Sequence, residues 1–159
     1  MSLNYEKAYE FLTKAYKAHI EGKITEAIKY YKLSISIHPT AEAHTFLGWA
    51  YGMQNKYEDA IKECKIAIQI NPDFGVPYND IGAYLISLNK LNEAIYWLEQ
   101  SLQKQNFPNR HFAYFNLGKI FERKGDWVKA KSYYEKAIEL NNQYEAAKDA
   151  LIRLEALLN

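Results

Sequence analysis

The chain has 159 residues, 48% of them apolar and 25% charged, with a formal net charge of +1. One domain with a sizeable core fits that length, and the near-neutral balance excludes bulk attraction to nucleic acid or an anionic membrane. A single cysteine, Cys64, excludes an internal disulfide and any CxxC pair.

The start, MSLNYEKAYE, lacks the basic-then-apolar layout of a secretory signal. No apolar run approaches the ~18–20 residues that span a bilayer. The expected location is the cytoplasm, and insertion into a membrane is not expected. Met1-Ser2-Leu3 has the form of an added start, which leaves an upstream signal or anchor open.

Four related segments follow in chain order. The first is KAHIEGKITEAIKYYKLSI from Lys17, in which Gly22 ends one helix and Pro39 closes the next. AYGMQNKYEDAIKECKIAI, from Ala50, repeats the layout with Asn55 and Pro72. In YLISLNKLNEAIYWLEQSL, from Tyr84, the corresponding residues are Asn89 and Asn106, with Pro108 just beyond. IFERKGDWVKAKSYYEKAI, from Ile120, has Gly125 and Asn142. Gly and Asn enter the left-handed conformation most readily, which suits them to end the first helix of each unit. The last stretch, EAAKDALIRLEALL, sets Ala147, Ala150, Leu151, Leu154 and Leu158 on one stripe of an amphipathic helix. Such a helix is expected to cap a stack and show a polar outer face.

Ala27, Ala60, Ala94 and Ala130 fall in register, 33, 34 and 36 residues apart, the period of a stacked helical-hairpin array. Two further small sets keep the same register: Ala15, Gly48, Gly82 and Gly118, then Ser34, Ala67, Ser101 and Ala137. Each glycine inside a helix costs about 0.8–1.0 kcal/mol against alanine. Close helix packing offsets that loss. Leu at any of the three would add about 1–3 kcal/mol of overpacking. The Gly118-Lys119 pair is therefore no phosphate loop, since Ile120 follows the lysine and the glycine spacing fails.

These residues resemble the tetratricopeptide repeat: Tyr114, Leu117-Gly118, Phe121, Ala130 and Tyr134, with counterparts in the three preceding units. The resemblance implies an all-α fold, a right-handed α-solenoid of antiparallel helical hairpins. A single domain over 1–159 is expected, with repeats at about 8–40, 41–74, 75–110 and 111–144 and a capping helix at 145–158.

The resemblance also implies a non-catalytic scaffold that binds a protein or peptide in a concave groove lined by the first helices. Counting along each unit places Tyr9, Leu12, Tyr16, His19, Ile20, Glu42, Thr45, Trp49, Gly52 and Met53 on that face. Val76, Asn79, Ala83, Ile86, Ser87, Phe112, Phe115, Lys119, Glu122 and Arg123 continue it. Its first half is aromatic, and Lys119 and Arg123, one helical turn apart, suit an acidic group. Gly52 has no packing role in the repeat pattern; simple drift near a helix end accounts for it, as does the approach of a partner's backbone beside Trp49. The clamp by which some family members grip a C-terminal carboxylate requires Lys and Asn where this chain has Leu12, Tyr16, Phe46, Val76 and Asp80. Binding of that kind is not expected.

No His, Cys, Asp and Glu residues share a metal-ligand spacing, and nucleophile, base and orienting group do not combine. Neither enzyme activity, a metal nor a cofactor is expected. His44 and Cys64 fall on packing positions. Two other readings stay open: a chaperone for secreted or assembling subunits, and self-association into a homo-oligomer.

Overall fold

The structure, a computed structural model, describes residues 2–159; Met1 lies outside them. Its helices pair in sequence. The hairpins are α1 (Leu3–Ile20) with α2 (Ile24–Ile37), α3 (Ala41–Met53) with α4 (Tyr57–Ile70), α5 (Val76–Ser87) with α6 (Leu91–Leu102) and α7 (Arg110–Arg123) with α8 (Trp127–Leu140). A last helix, α9 (Glu145–Leu158), packs on α8. Among the described residues the only extended pairing is one isolated bridge between Phe74 and Asn106.

The turns follow from the residues that occupy them. Gly22, Asn55, Asn89 and Gly125 have φ of 77°, 59°, 58° and 76°. In the first turn the Gly22 N–H donates to the His19 carbonyl and the Lys23 N–H to that of Ala18. That pair of bonds satisfies carbonyls the helix leaves open and reverses the chain within one residue. The same long bond recurs as Lys56 to Tyr51, Lys90 to Leu85 and Asp126 to Phe121. Ser2, Thr40 and Asp126 cap α1, α3 and α8 by accepting from the N–H of Tyr5, Ala43 and Lys129.

Within each hairpin the small residue of the first helix meets the large one of the second. A Cβ added to Gly82 would lie 2.6 Å from Leu98 Cδ2, and one on Gly118 2.5 Å from Tyr134 Cδ1. Opposite Gly48 stands the smaller Cys64, whose Sγ would be 3.4 Å away. Burial raises the Cys64 thiol well above its ordinary pKa, so the group packs as a neutral small hydrophobe. His44 is buried as expected, and its Nδ1 also lies 2.6 Å from the Glu63 carboxylate of α4.

Contacts between first helices recur along the array, α1 with α3, α3 with α5 and α5 with α7, whereas no such series joins the second helices. The first helices thus line the inside of the curve. The core forms three clusters, around Tyr31 and Leu47, around Ile81, Leu98 and Phe107, and around Tyr134 and Leu154.

The third unit departs from expectation. Its second helix ends at Leu102, four residues before Asn106, because the chain breaks off to bury Phe107. Phe107 fills the space beside Gly75, where a Cβ would come within 2.4 Å of Phe107 Cβ. The Gly75 N–H donates to the Asn106 carbonyl at 2.8 Å, and the Arg110 guanidinium donates to the Leu102 and Lys104 carbonyls. The two extra residues between Ala94 and Ala130 are spent on this plug. The cap also differs. Ala147, Ala150 and Leu154 are buried, but Leu158 is exposed, Ile152 stands 66% exposed on an otherwise largely polar outer face, and Leu157, 67% exposed, faces α7.

Candidate functional site

The aromatic half of the inner face is built by α1 and α3. Tyr9, Leu12, Thr13, Tyr16, Phe46 and Trp49 line an open pocket of about 320 Å³. Tyr9 and Tyr16 are 61% and 46% exposed, so neither ring is consumed by the core. The Phe46 ring joins the two helices, its centroid 5.8 Å from Tyr16 and 4.7 Å from Trp49.

From the pocket wall a series of side-chain hydrogen bonds continues along the first helices. Trp49 Nε1 donates to Asp80 Oδ2 at 2.6 Å, tying α3 to α5. Asn116 Nδ2 donates to Asn79 Oδ1 at 3.1 Å, tying α5 to α7. Burial pushes the Asp80 carboxyl up to about 7, against the smaller opposing effect of its bonds from Trp49 and Asn79.

Several residues expected in the groove are employed elsewhere. Asn79 is buried and spent on Asn116, and Thr45 and Ile86 are buried too, because the inner side of a curved stack closes over its deepest positions. Gly52 has a structural partner after all: a Cβ there would lie 2.7 Å from Tyr84 Cε1. His19 is half-buried, with Nδ1 3.1 Å from the Tyr31 hydroxyl and Nε2 3.0 Å from Met53 Sδ. Phe115 packs on Tyr134 and Tyr144, and Phe112 on His111 and Tyr144.

At the other end, Lys119, Glu122 and Arg123 of α7 meet Trp127, Arg153 and Leu157 around an open cleft of about 420 Å³. Arg153 Nη2 donates to both Glu122 oxygens, at 2.8 and 2.9 Å, and the Tyr134 hydroxyl donates to Oε2 at 2.5 Å. Arg123 Nη1 donates to the Ile86 carbonyl at 3.1 Å, and Lys119 Nζ lies 5.0 Å from the Phe115 ring centroid. Counting within repeats misses Arg153, which lies beyond the fourth unit; its signal is the continuation of the array by α9. Phe46 is missed as a groove residue because it falls between the counted positions.

Models of the tetratricopeptide repeat match residues 41–74, 78–106 and 111–144. The chain belongs to the tetratricopeptide repeat family. An array of these repeats is a protein-interaction scaffold, typically without catalysis of its own. The anaphase-promoting complex subunit CDC16 of Saccharomyces cerevisiae is 29% identical over 74% of this tetratricopeptide chain and 14% of that protein. Protein O-mannosyl-transferase TMTC2 of Homo sapiens is 36% identical over 60% of the chain and 12% of that protein. The chain thus spans a small fraction of the curated relatives it matches. The solved structure of Pseudomonas aeruginosa PilF superposes with a TM-score of 0.88 at 21% identity, over 96% of this chain and 69% of that one. That likeness establishes the tetratricopeptide fold. No helix among the described residues is long and apolar enough to cross a membrane.

Proposed function

We propose that the inner face of the array holds an extended segment of a partner protein, with aromatic or aliphatic side chains seated between α1 and α3. The observation that carries this reading is the exposure of Tyr9 and Tyr16 around a pocket already walled by Phe46 and Trp49. Large aromatic side chains left half in water, on a rigid concave surface, are typical anchors for a partner. The pocket is preformed, so little ordering opposes binding.

Selection from a random peptide display library tests it. Enrichment of an aromatic or aliphatic motif, lost in Tyr16→Ala, is expected. Tyr16 is the cleaner probe because Trp49 also serves Asp80, and its removal would disturb the fold. Failure to enrich any peptide would remove the reading. Self-association is the second reading, favoured by the exposed Ile152 on the outer face of α9. A molecular mass that rises with concentration, and returns to that of the monomer in Ile152→Glu, would support it.

A further inference from the structure

We propose that the cleft between α7 and α9 is an anion subsite that takes the carboxylate side chain of an Asp or Glu in the bound segment. The proposal rests on the groove reading above and deepens it. Three cations, Lys119, Arg123 and Arg153, face one carboxylate, Glu122, and that carboxylate is already held by Arg153 and the Tyr134 hydroxyl. Among the described residues no acidic group lies within ion-pair distance of Lys119 or Arg123. Two positive charges are left uncompensated on adjacent turns of one helix, an arrangement that like-charge repulsion disfavours unless an anion completes it.

The burial of Lys119 sharpens the point. Loss of solvent, with Arg123 beside it, holds the Lys119 ammonium below its ordinary pKa. A lysine whose only role was solubility would extend into water. Arg123 gives one N–H to Ile86 and keeps the rest of its fork free for a carboxylate.

The shape of the cleft selects among anions. Lys119 and Arg123 lie in the second half of α7, where the backbone N–H groups are spent inside the helix and the dipole is negative toward its end. A phosphate dianion or a chain terminus is best held by free backbone N–H groups, and this cleft offers side-chain donors only. A single carboxylate on a short stem fits, its methylenes against the exposed flanks of Trp127 and Leu157.

The test is a parallel display selection on the wild-type protein and on the Lys119→Met, Arg123→Gln variant, using libraries with free and with amidated C-termini. Wild-type protein is expected to enrich Asp or Glu at a fixed offset from the apolar motif, in both libraries. The variant should keep the apolar motif and lose the acidic position. A synthetic amidated peptide carrying the selected motif should bind the variant about tenfold more weakly. Its wild-type affinity should fall between 50 and 200 mM salt, while the variant's stays nearly flat. Circular dichroism checks the fold; where the double variant is unfolded, Lys119→Met alone carries the test, since it leaves the Arg123 bond to Ile86 intact. The proposal is overturned if the variant retains the acidic position, or if wild-type protein enriches apolar motifs without acid. Enrichment of acid only at free C-termini would also overturn it, in favour of a terminal carboxylate. Loss of all enrichment, apolar motif included, would instead remove the groove reading on which it rests.

Discussion

Gly52 and Tyr84, 32 positions apart in sequence, occupy what would otherwise be the same space: a Cβ on Gly52 would stand 2.7 Å from Tyr84 Cε1. The glycine lets α3 lie against the Tyr84 ring of α5. Gly52→Ala gains about 1 kcal/mol of helix propensity and meets about 1–3 kcal/mol of overpacking. A net loss of about 1 kcal/mol is expected in urea unfolding. In a Tyr84→Ala background the sign should reverse to a gain of about 1 kcal/mol. A loss of equal size in both backgrounds would show that Tyr84 is not the reason for the glycine.

Asp80 makes stability depend on pH. Its folded pKa, about 7, lies above the ordinary carboxylate value near 3.8, so the folded state binds the proton more tightly. The contribution is fully present below pH ~4, declines as pH rises and is lost above ~7. Asp80→Asn keeps an acceptor for Trp49 Nε1 and removes the charge. The variant is expected to be about 2–4 kcal/mol more stable than wild type at pH 8 and little different at pH 4. The difference between the two proteins isolates this group from His19 and His111, whose burial lowers their pKa values and acts in the opposite direction. Parallel wild-type and variant curves across pH 4–8 would exclude the effect.

The Asn79–Asn116 bond is buried on both sides. Removing one partner leaves the other without a bond, so Asn116→Ala should cost about 1–3 kcal/mol. Asn79→Leu with Asn116→Leu should recover part of that loss, because neither amide is then orphaned, although Asp80 loses its bond from Asn79. Equilibrium denaturation of the single and double variants measures the coupling.

Phe107 plugs the irregular turn of the third unit. Phe107→Ala is expected to destabilise by about 3–5 kcal/mol. Gly75→Ala, which drives a methyl into the Phe107 Cβ, should be severe in the wild type and in Phe107→Ala, which keeps that Cβ, and much milder in the Gly75→Ala, Phe107→Gly double variant. Additive losses in the double variant would contradict the contact.

The register of the array was open to reading in the sequence because it rests on local chemistry. Each of Gly22, Asn55, Asn89 and Gly125 sits at positive φ, where its own backbone preference sends it. Gly82 and Gly118 were legible for a related reason, since their partners lie within the same hairpin. What stayed hidden depends on contacts between hairpins. Counting along a unit assigns Asn79 to the inner face but not to its depth, which the curvature of the stack sets. Gly52 looked unexplained because Tyr84 belongs to the next unit. Arg153 lies beyond the four repeats, and it reaches Glu122 only because α9 continues the array beside α7. The early end of α6 left a trace, the longer interval from Ala94 to Ala130, but the trace does not say which helix is shortened.

The segmented core sets the order in which amides should exchange with solvent. A stack that buries its apolar surface in separate clusters, instead of around one centre, opens from its ends unless something crosses the boundaries. The boundary between the first and second clusters is crossed by the Trp49–Asp80 bond and the seating of Gly52 on Tyr84. The last boundary relies on Phe121, which packs against both of its clusters. Deuterium uptake should therefore run earliest through α9 and α8, while α3 and α5, joined across the floor of the groove, stay protected longest. The aromatic end of the groove would thus rest on the slowest-opening part of the molecule, and the cationic cleft on the part that opens first.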